Sequence, residues 1–425
     1  MVWPGPIYSS LFGDQELQAL LSDDAFVSHM VAVERARARV QGKLSVIPED
    51  AAAAIDQGLQ SLNVDPARLA QATASSGVPV PGLLAVLRSH LPPDARDWLH
   101  WGATSQDIVD TANALGLSRA TEVIKGRTTA LCATLRDTAI AHEATLMAGR
   151  TRAQLATPTT FGLRVATWAK PLLAAEKNPP DNLGVQFGGA VGSRAVVAPH
   201  GFEISKLLAT EMGMVDASPW HTDRSKLYEI AHWISRLSNG LTKMASDIIL
   251  LSRSEIAELS IGSGGGSSTM PHKSNPVAAE AILTLNRLVQ IACAGLAQPH
   301  TEDRDGAAWA AEWALIPQMV ISTGAALRHA ASLLHGLTVN TEKMRATISA
   351  QPSVMAEQVT MALAQDIGRE KAQELVKAAL ARALPFDVAL RDVVPPSFDL
   401  PAALLPEAAI APSIEVMRSI LGRPG

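Results

Sequence analysis

From Leu227 the apolar side chains fall at Ile230, Ile234, Leu237, Leu241, Met244, Ile248 and Leu251, in alternating steps of three and four. That is an unbroken heptad seam, and as one helix it would span roughly 37 Å. Ile282, Leu285, Val289, Ala292 and Leu296 keep the same period further on. Residues 112–148 are almost wholly helix-forming, with leucine, isoleucine and alanine recurring. Nearer the start, Asp23 and Asp24 open a helix of alternating arginines and small apolar residues through Val40, and Pro48-Glu49-Asp50 opens another with acids in its first turn. Ser75 to Gly82, rich in serine, proline and glycine, reads as a loop. Thr104 with Asp107 three residues on forms a capping box, and Thr157-Pro158 carries a cap-plus-proline signature. Several long apolar seams separated by loops call for helices packed on helices within one chain, not a two-chain coiled coil. The pattern therefore predicts an all-α protein built on an antiparallel bundle.

Composition adds to this. The 425 residues suffice for two or three domains. Hydrophobic residues make up 47% but aromatic ones only 4%, so the excess is mostly alanine and leucine, which suits closely packed helices. A mean hydropathy of +0.13 points to apolar surface buried between subunits. No uninterrupted apolar run reaches the ~18 residues of a membrane span, and the first residues lack the basic-then-apolar order of a signal peptide. Cys132 and Cys293 stand alone, which argues for a reducing cytoplasm and against a disulfide framework or zinc site. A net charge of −5 without any long basic run disfavours nucleic acid and membrane as partners. An anionic substrate would need a local basic pocket.

The chemistry concentrates in residues 262–276, Gly-Ser-Gly-Gly-Gly-Ser-Ser-Thr-Met-Pro-His-Lys-Ser-Asn-Pro. Packing cannot hold such a glycine–serine run rigid, and Asn275-Pro276 reads as the mouth of the next helix. Backbone N–H groups and a partial positive charge at that mouth favour an anion, with Ser267, Ser268 and Lys273 beside it. A flexible linker is the plainer reading of the run, but a linker has no need of Met270-Pro271-His272-Lys273. His272 in place of glycine before Lys273 excludes a Walker A loop, and Ser267 breaks a dinucleotide fingerprint.

Ser267 to Pro276 resembles the signature of the fumarase/aspartase superfamily, which includes argininosuccinate and adenylosuccinate lyases. His100-Trp-Gly-Ala-Thr-Ser-Gln-Asp107 resembles that superfamily's first conserved region, whose Thr-Ser pair, here Thr104-Ser105, binds a substrate carboxylate. The resemblance runs from near Ile7 to about residue 380. It implies a three-domain helical fold with divisions near 1–105, 106–345 and 346–425, the middle domain carrying the glycine-rich loop. It also implies a homotetramer with a 20-helix core, active sites shared between subunits, and no cofactor or metal.

Lyases of the superfamily carry Thr-His-x-Gln in the second region, the histidine serving acid–base chemistry. Here that stretch is Thr151-Arg152-Ala153-Gln154. Arginine stays protonated and cannot shuttle a proton, but its fork suits an extra anionic group. The bacterial 3-carboxy-cis,cis-muconate cycloisomerases dispense with the histidine, and Trp220-His-Thr-Asp-Arg224 and Met355 to Met361 also resemble that branch. Lactonisation by an ionised, tethered carboxylate needs no base to activate the nucleophile. What remains is to stabilise an enolate-like carboxylate, expected of Thr104, Ser105, Lys273 and Asn275, and to protonate its α-carbon. Resemblance assigns that proton to Ser267. The expected substrate-binding set is therefore His100, Thr104, Ser105, Thr151, Arg152, Gln154, Ser268, Met270, Lys273 and Asn275, around a small di- or tricarboxylate. Two alternatives stay open: a fumarate-releasing lyase like adenylosuccinate lyase, and a non-catalytic structural member like the lens crystallins. At muconate C3, a carboxylate and a sulfonate suit Arg152 equally.

Overall fold

The computed structural model describes residues 5–422 apart from 218, 263, 264, 267–269, 271, 272, 298 and 299. Helices dominate. The acidic start at Asp23 opens helix α1 (Asp23–Lys43), capped by Ser22, whose Oγ accepts from the Ala25 N–H at 3.2 Å. The next, Glu49–Leu59, begins after Pro48 as the sequence predicts. It crosses α1 closely: a Cβ on Gly42 would come within 2.5 Å of the Ala52 Cβ, so only glycine permits the approach. The expected loop at Ser75–Gly82 is shorter, because a helix ends at Ser76 and another begins at Val80 with Pro81 in its first turn. Proline costs nothing there, since that N–H has no partner in a helix's first turn.

Four long helices follow: α2 (Ser105–Ala141), then α3 (Ser225–Leu251), α4 (Val277–Leu296) and α5 (Gly306–His335). The heptad seam of α3 is buried throughout, as is the Ile282–Leu296 seam of α4. Helix α4 is long and apolar enough to cross a membrane by composition, but Glu280 and Arg287 interrupt it.

Among the described residues, six short strands form three two-stranded antiparallel sheets: β1 (Leu146–Thr151) with β2 (Gln154–Thr160), β3 (Leu259–Ile261) with β6 (Leu337–Val339), and β4 (Gly265–Gly266) with β5 (Ser274–Asn275). Thr157-Pro158 therefore lies in a strand and not at a helix start. The helix there is Phe161–Lys177, and Thr160 Oγ1 accepts from the Leu163 N–H at 3.2 Å. Pro158 faces Ala148, where the pairing slips, and a proline is tolerated at such an irregularity.

The contacts divide the chain into two compact units. The first comprises Met1–Arg127, Asn178–Ser238 and Thr284–Leu327. Its core sets Val27, Met30 and Val33 of α1 against Ile55, Leu59, Leu83 and Leu87, with Ile108 and Val109 of α2. Segments of all four long helices meet in it: Trp309 Nε1 of α5 donates to Asp110 Oδ1 of α2 at 2.8 Å, and Ser235 Oγ of α3 donates to Gln290 Oε1 of α4 at 2.8 Å. The second unit comprises Thr128–Lys177, Asn239–Leu283 and Arg328–Gly425. There β1 packs with Ile348, Val359, Val376, Phe386 and Leu390, and Trp168 Nε1 donates to Asp247 Oδ2 at 2.7 Å.

Candidate active site

In the first unit the site residues gather at the mouth of α2. Thr104 stands just before the helix, and its N–H donates to Asp107 Oδ2 at 3.0 Å, one half of the expected capping box. The other half is replaced, because Thr104 Oγ1 accepts from Arg304 Nη1 at 2.8 Å. Asp107 is fully buried and also accepts from the N–H groups of Gly188 at 2.8 Å and Gly189 at 3.0 Å. Burial pushes its carboxyl above the ordinary range against the pull of these donors and of Arg37. It thus ties the 188–189 turn to the helix mouth. Ser105, half-buried, is the first helical residue.

His100 sits four residues upstream of Thr104 in the left-handed region, with φ of 67°. Its Nδ1 lies 2.5 Å from Glu34 Oε1 on α1. The next residue, Trp101, has its carbonyl held by Arg37 Nη2 at 2.8 Å and by Gln41 Nε2 at 2.9 Å. Helix α1 therefore supplies three polar side chains, Glu34, Arg37 and Gln41, to this corner. Two further groups join it. His221 Nε2 is 3.6 Å from Asp303 Oδ1, while its buried Nδ1 has no hydrogen-bond partner among the described residues. A Cβ on Gly192 would meet the His221 ring at 2.5 Å, so glycine is needed beside it.

Behind the site lies a buried ion network. Arg224 donates through Nη1 to Asp110 Oδ2 at 2.7 Å and through Nε to Glu312 Oε1 at 2.9 Å, with His300 Nε2 3.2 Å from the same glutamate oxygen. Burial disfavours its charge, but the two carboxylates more than offset that and hold Arg224 well above its ordinary value. A cavity of about 560 Å³ opens beside this network, lined by Phe26, Met30, Trp220 and Trp313 among others. It is largely apolar and includes none of the expected site residues.

In the second unit, Thr151 and Gln154 pair across the ends of β1 and β2, and Arg152 and Ala153 form the two-residue turn between them. Both turn residues have positive φ, 48° and 65°, the pattern of a type I′ hairpin. All four are exposed, so the turn lifts Arg152 clear of the sheet. The hairpin is anchored below its tip by Arg150, which donates through Nη1 and Nη2 to both oxygens of fully buried Glu258 at 2.8 and 2.7 Å. Lys273 is exposed, and its N–H donates to the Met270 carbonyl at 3.0 Å. Asn275 pairs with Gly265 as a strand residue, and Pro276 accepts the first bond of α4 from the Glu280 N–H at 2.9 Å. Ser267 and Ser268 lie outside the described residues. No group of three metal-ligating side chains occurs among the described residues.

Glu34, Arg304, Asp303 and Glu258 lie outside the motifs legible in the sequence, whereas His221 falls within the Trp220–Arg224 tract without a role assigned to it. The run Glu302-Asp303-Arg304-Asp305 before a helix was a visible signal. Glu34 was not, because an acid three residues from an arginine on a helix reads as an exposed pair.

Residues 5–291 match the Lyase family model, and the chain belongs to that family, within the fumarase/aspartase superfamily. Over 420 residues it is 33% identical to a 3-carboxy-cis,cis-muconate cycloisomerase from Bradyrhizobium diazoefficiens, covering 96% of this chain and 93% of that one. A nitrosuccinate lyase from Streptomyces davaonensis is 33% identical over 399 residues, covering 89% and 84%. In three dimensions it superposes on the 3-carboxy-cis,cis-muconate lactonizing enzyme from Pseudomonas putida with a TM-score of 0.90, at 30% identity and with 98% of each chain covered. Its relatives thus include both cycloisomerases and lyases.

Proposed function

We propose that the protein is a cofactor-independent cycloisomerase that lactonises a 3-substituted cis,cis-muconate during aromatic catabolism of the β-ketoadipate type. The observation that carries this reading is Arg152, standing at the hairpin tip where elimination catalysts of the superfamily hold a histidine. In the proposed reaction a substrate carboxylate oxygen forms a C–O bond to the carbon β to the second carboxylate, breaking the π bond between that carbon and the α-carbon and closing a five-membered lactone. The displaced electron pair moves onto the second carboxylate as an enolate, and a proton from Ser267 then reaches its α-carbon. Atoms balance, since the lactone is an isomer of the muconate once that proton is restored from solvent. Thr104, Ser105, Lys273 and Asn275 stabilise the enolate, while His100, Thr151, Gln154, Ser268 and Met270 line the substrate. Arg152 takes the C3 anion, carboxylate or sulfonate. The working form is a cytoplasmic homotetramer in which different copies contribute the three segments.

The test is loss of muconate absorbance in the ultraviolet with 3-carboxy- and 3-sulfo-muconate, set against fumarate release from adenylosuccinate and turnover of nitrosuccinate. Lactone formation from either muconate supports the reading. Turnover confined to adenylosuccinate or nitrosuccinate replaces it with an eliminating lyase.

A further inference from the structure

We propose that Glu34 is a positioning residue for His100, holding its Nδ1 so that Nε2 alone is left to meet the substrate. The inference rests on the placement of His100 in the substrate site. Glu34 projects from the middle of α1 with a side chain only 1% exposed. A buried carboxylate is costly, and packing alone would be served better by an apolar residue. Arg37, one turn along the same helix and 2% exposed, neutralises it through Oε2 at 3.1 Å. That leaves Oε1 for a different partner, and the partner is His100, 66 residues away in sequence, at 2.5 Å.

The direction of that bond follows from the charge. Burial pushes the Glu34 carboxyl upward, but His100 and Arg37 together outweigh it and hold the group below its ordinary value. An ionised carboxylate only accepts, so the shared proton belongs to His100 Nδ1. Committing Nδ1 to a carboxylate fixes both the ring orientation and which nitrogen remains available. To meet a substrate carboxylate, Nε2 must take up a second proton, and the Glu34 charge behind the ring then offsets that of the imidazolium.

The backbone agrees with this role. His100 is a non-glycine residue at φ 67°, a conformation that persists only where the surroundings impose it. Here α1 imposes it from both sides, Glu34 on the ring and Arg37 with Gln41 on the following carbonyl. The His100 carbonyl in turn accepts from the Ala103 N–H at 3.2 Å, just ahead of Thr104. One face of α1 thus sets the imidazole relative to the helix mouth.

A kinetic double-mutant cycle tests this, with Glu34→Gln, His100→Asn and the pair, run on whichever muconate, adenylosuccinate or nitrosuccinate the wild-type enzyme turns over. Glu34→Gln should lower kcat/KM about tenfold, the effect of losing one charge-assisted hydrogen bond, mainly through KM. Added to His100→Asn, it should change kcat/KM less than about twofold, because its only route to the substrate is gone. Losses that multiply in the double variant, or an unchanged kcat/KM in Glu34→Gln, overturn the proposal. If Glu34→Gln fails to fold, Glu34→Asp keeps the charge but withdraws the oxygen, and its loss must also vanish beside His100→Asn. Inactivity on muconates alone sinks the cycloisomerase reading and leaves the cycle to be judged on the other substrates. Diethyl pyrocarbonate followed by mass spectrometry gives a substrate-free arm. Wild-type His100 should take one carbethoxy group and the Glu34→Ala ring two, whereas double modification of the wild-type ring overturns the assignment.

Discussion

Arg152 concentrates the functional question in one side chain. Its identity was legible in sequence, but its setting was not. A type I′ turn usually carries asparagine or glycine, because positive φ is strained for other residues. This chain spends an arginine there, at φ 48°, which places a permanently charged fork on the tip of a hairpin braced by Arg150 and Glu258. If it clamps a C3 anion, Arg152→Lys keeps the charge but loses the fork and should lower kcat/KM modestly. Arg152→Ala should cost more, about 2–3 kcal/mol in transition-state stabilisation. Both losses should shrink on unsubstituted muconate, and equal losses on the two substrates would show that Arg152 does not touch the C3 group. Ser267, if it supplies the α-carbon proton, should be as sensitive: Ser267→Ala is expected to lower kcat at least about 10²-fold with an unchanged circular dichroism spectrum. Near-normal turnover would remove it from the chemistry.

At the scale of elements, the long helices are joined by buried charge as well as by apolar seams. Asp110 of α2 and Glu312 of α5 share Arg224, which precedes α3, so one guanidinium holds three elements. Arg224→Met leaves two carboxylates buried without their cation and should cost about 3–5 kcal/mol of stability, read as a large fall in melting temperature. A variant melting like wild type would mean that the network contributes nothing net. A milder lever is His29 on α1, whose Nε2 lies 3.0 Å from Arg119 Nη1 and must accept from it. Burial, then the Arg119 charge, lower its value from 6.5 to about 4. The unfolded chain therefore binds a proton between pH 6.5 and 4 that the folded chain refuses, so this contribution to stability is lost as pH falls through that window. His29→Gln should flatten the melting-temperature profile between those limits. An unaltered slope would place the acid sensitivity in other groups.

For the whole molecule, burial of the seams of α3 and α4 inside the chain answers only part of the apolar composition. Ile291 of α4 is still 70% exposed, and Phe202 is 81% exposed. Side chains of that size in water are what a subunit interface would cover. Light scattering at micromolar concentration should give a mass near four times 44.8 kDa, and a stable, active monomer would contradict the shared-site assembly.

The periodicity of the sequence by itself determined the helical class and the two seams, because a helix writes its buried face into residues three and four apart, and the acidic first turn marked the start of α1. Its motifs also brought out Thr104, Arg152 and Lys273 as chemically unusual. Only the tertiary structure decided which polar groups meet. Glu34 reaches His100 across 66 residues and Arg304 reaches Thr104 across 200, while Thr157-Pro158, a helix signal locally, became strand once β1 lay beside it. A local pattern records how strongly a side chain is driven from water, but not which partner waits inside. That pairing is settled by long-range packing, where a buried charge is tolerated only beside the group that neutralises it.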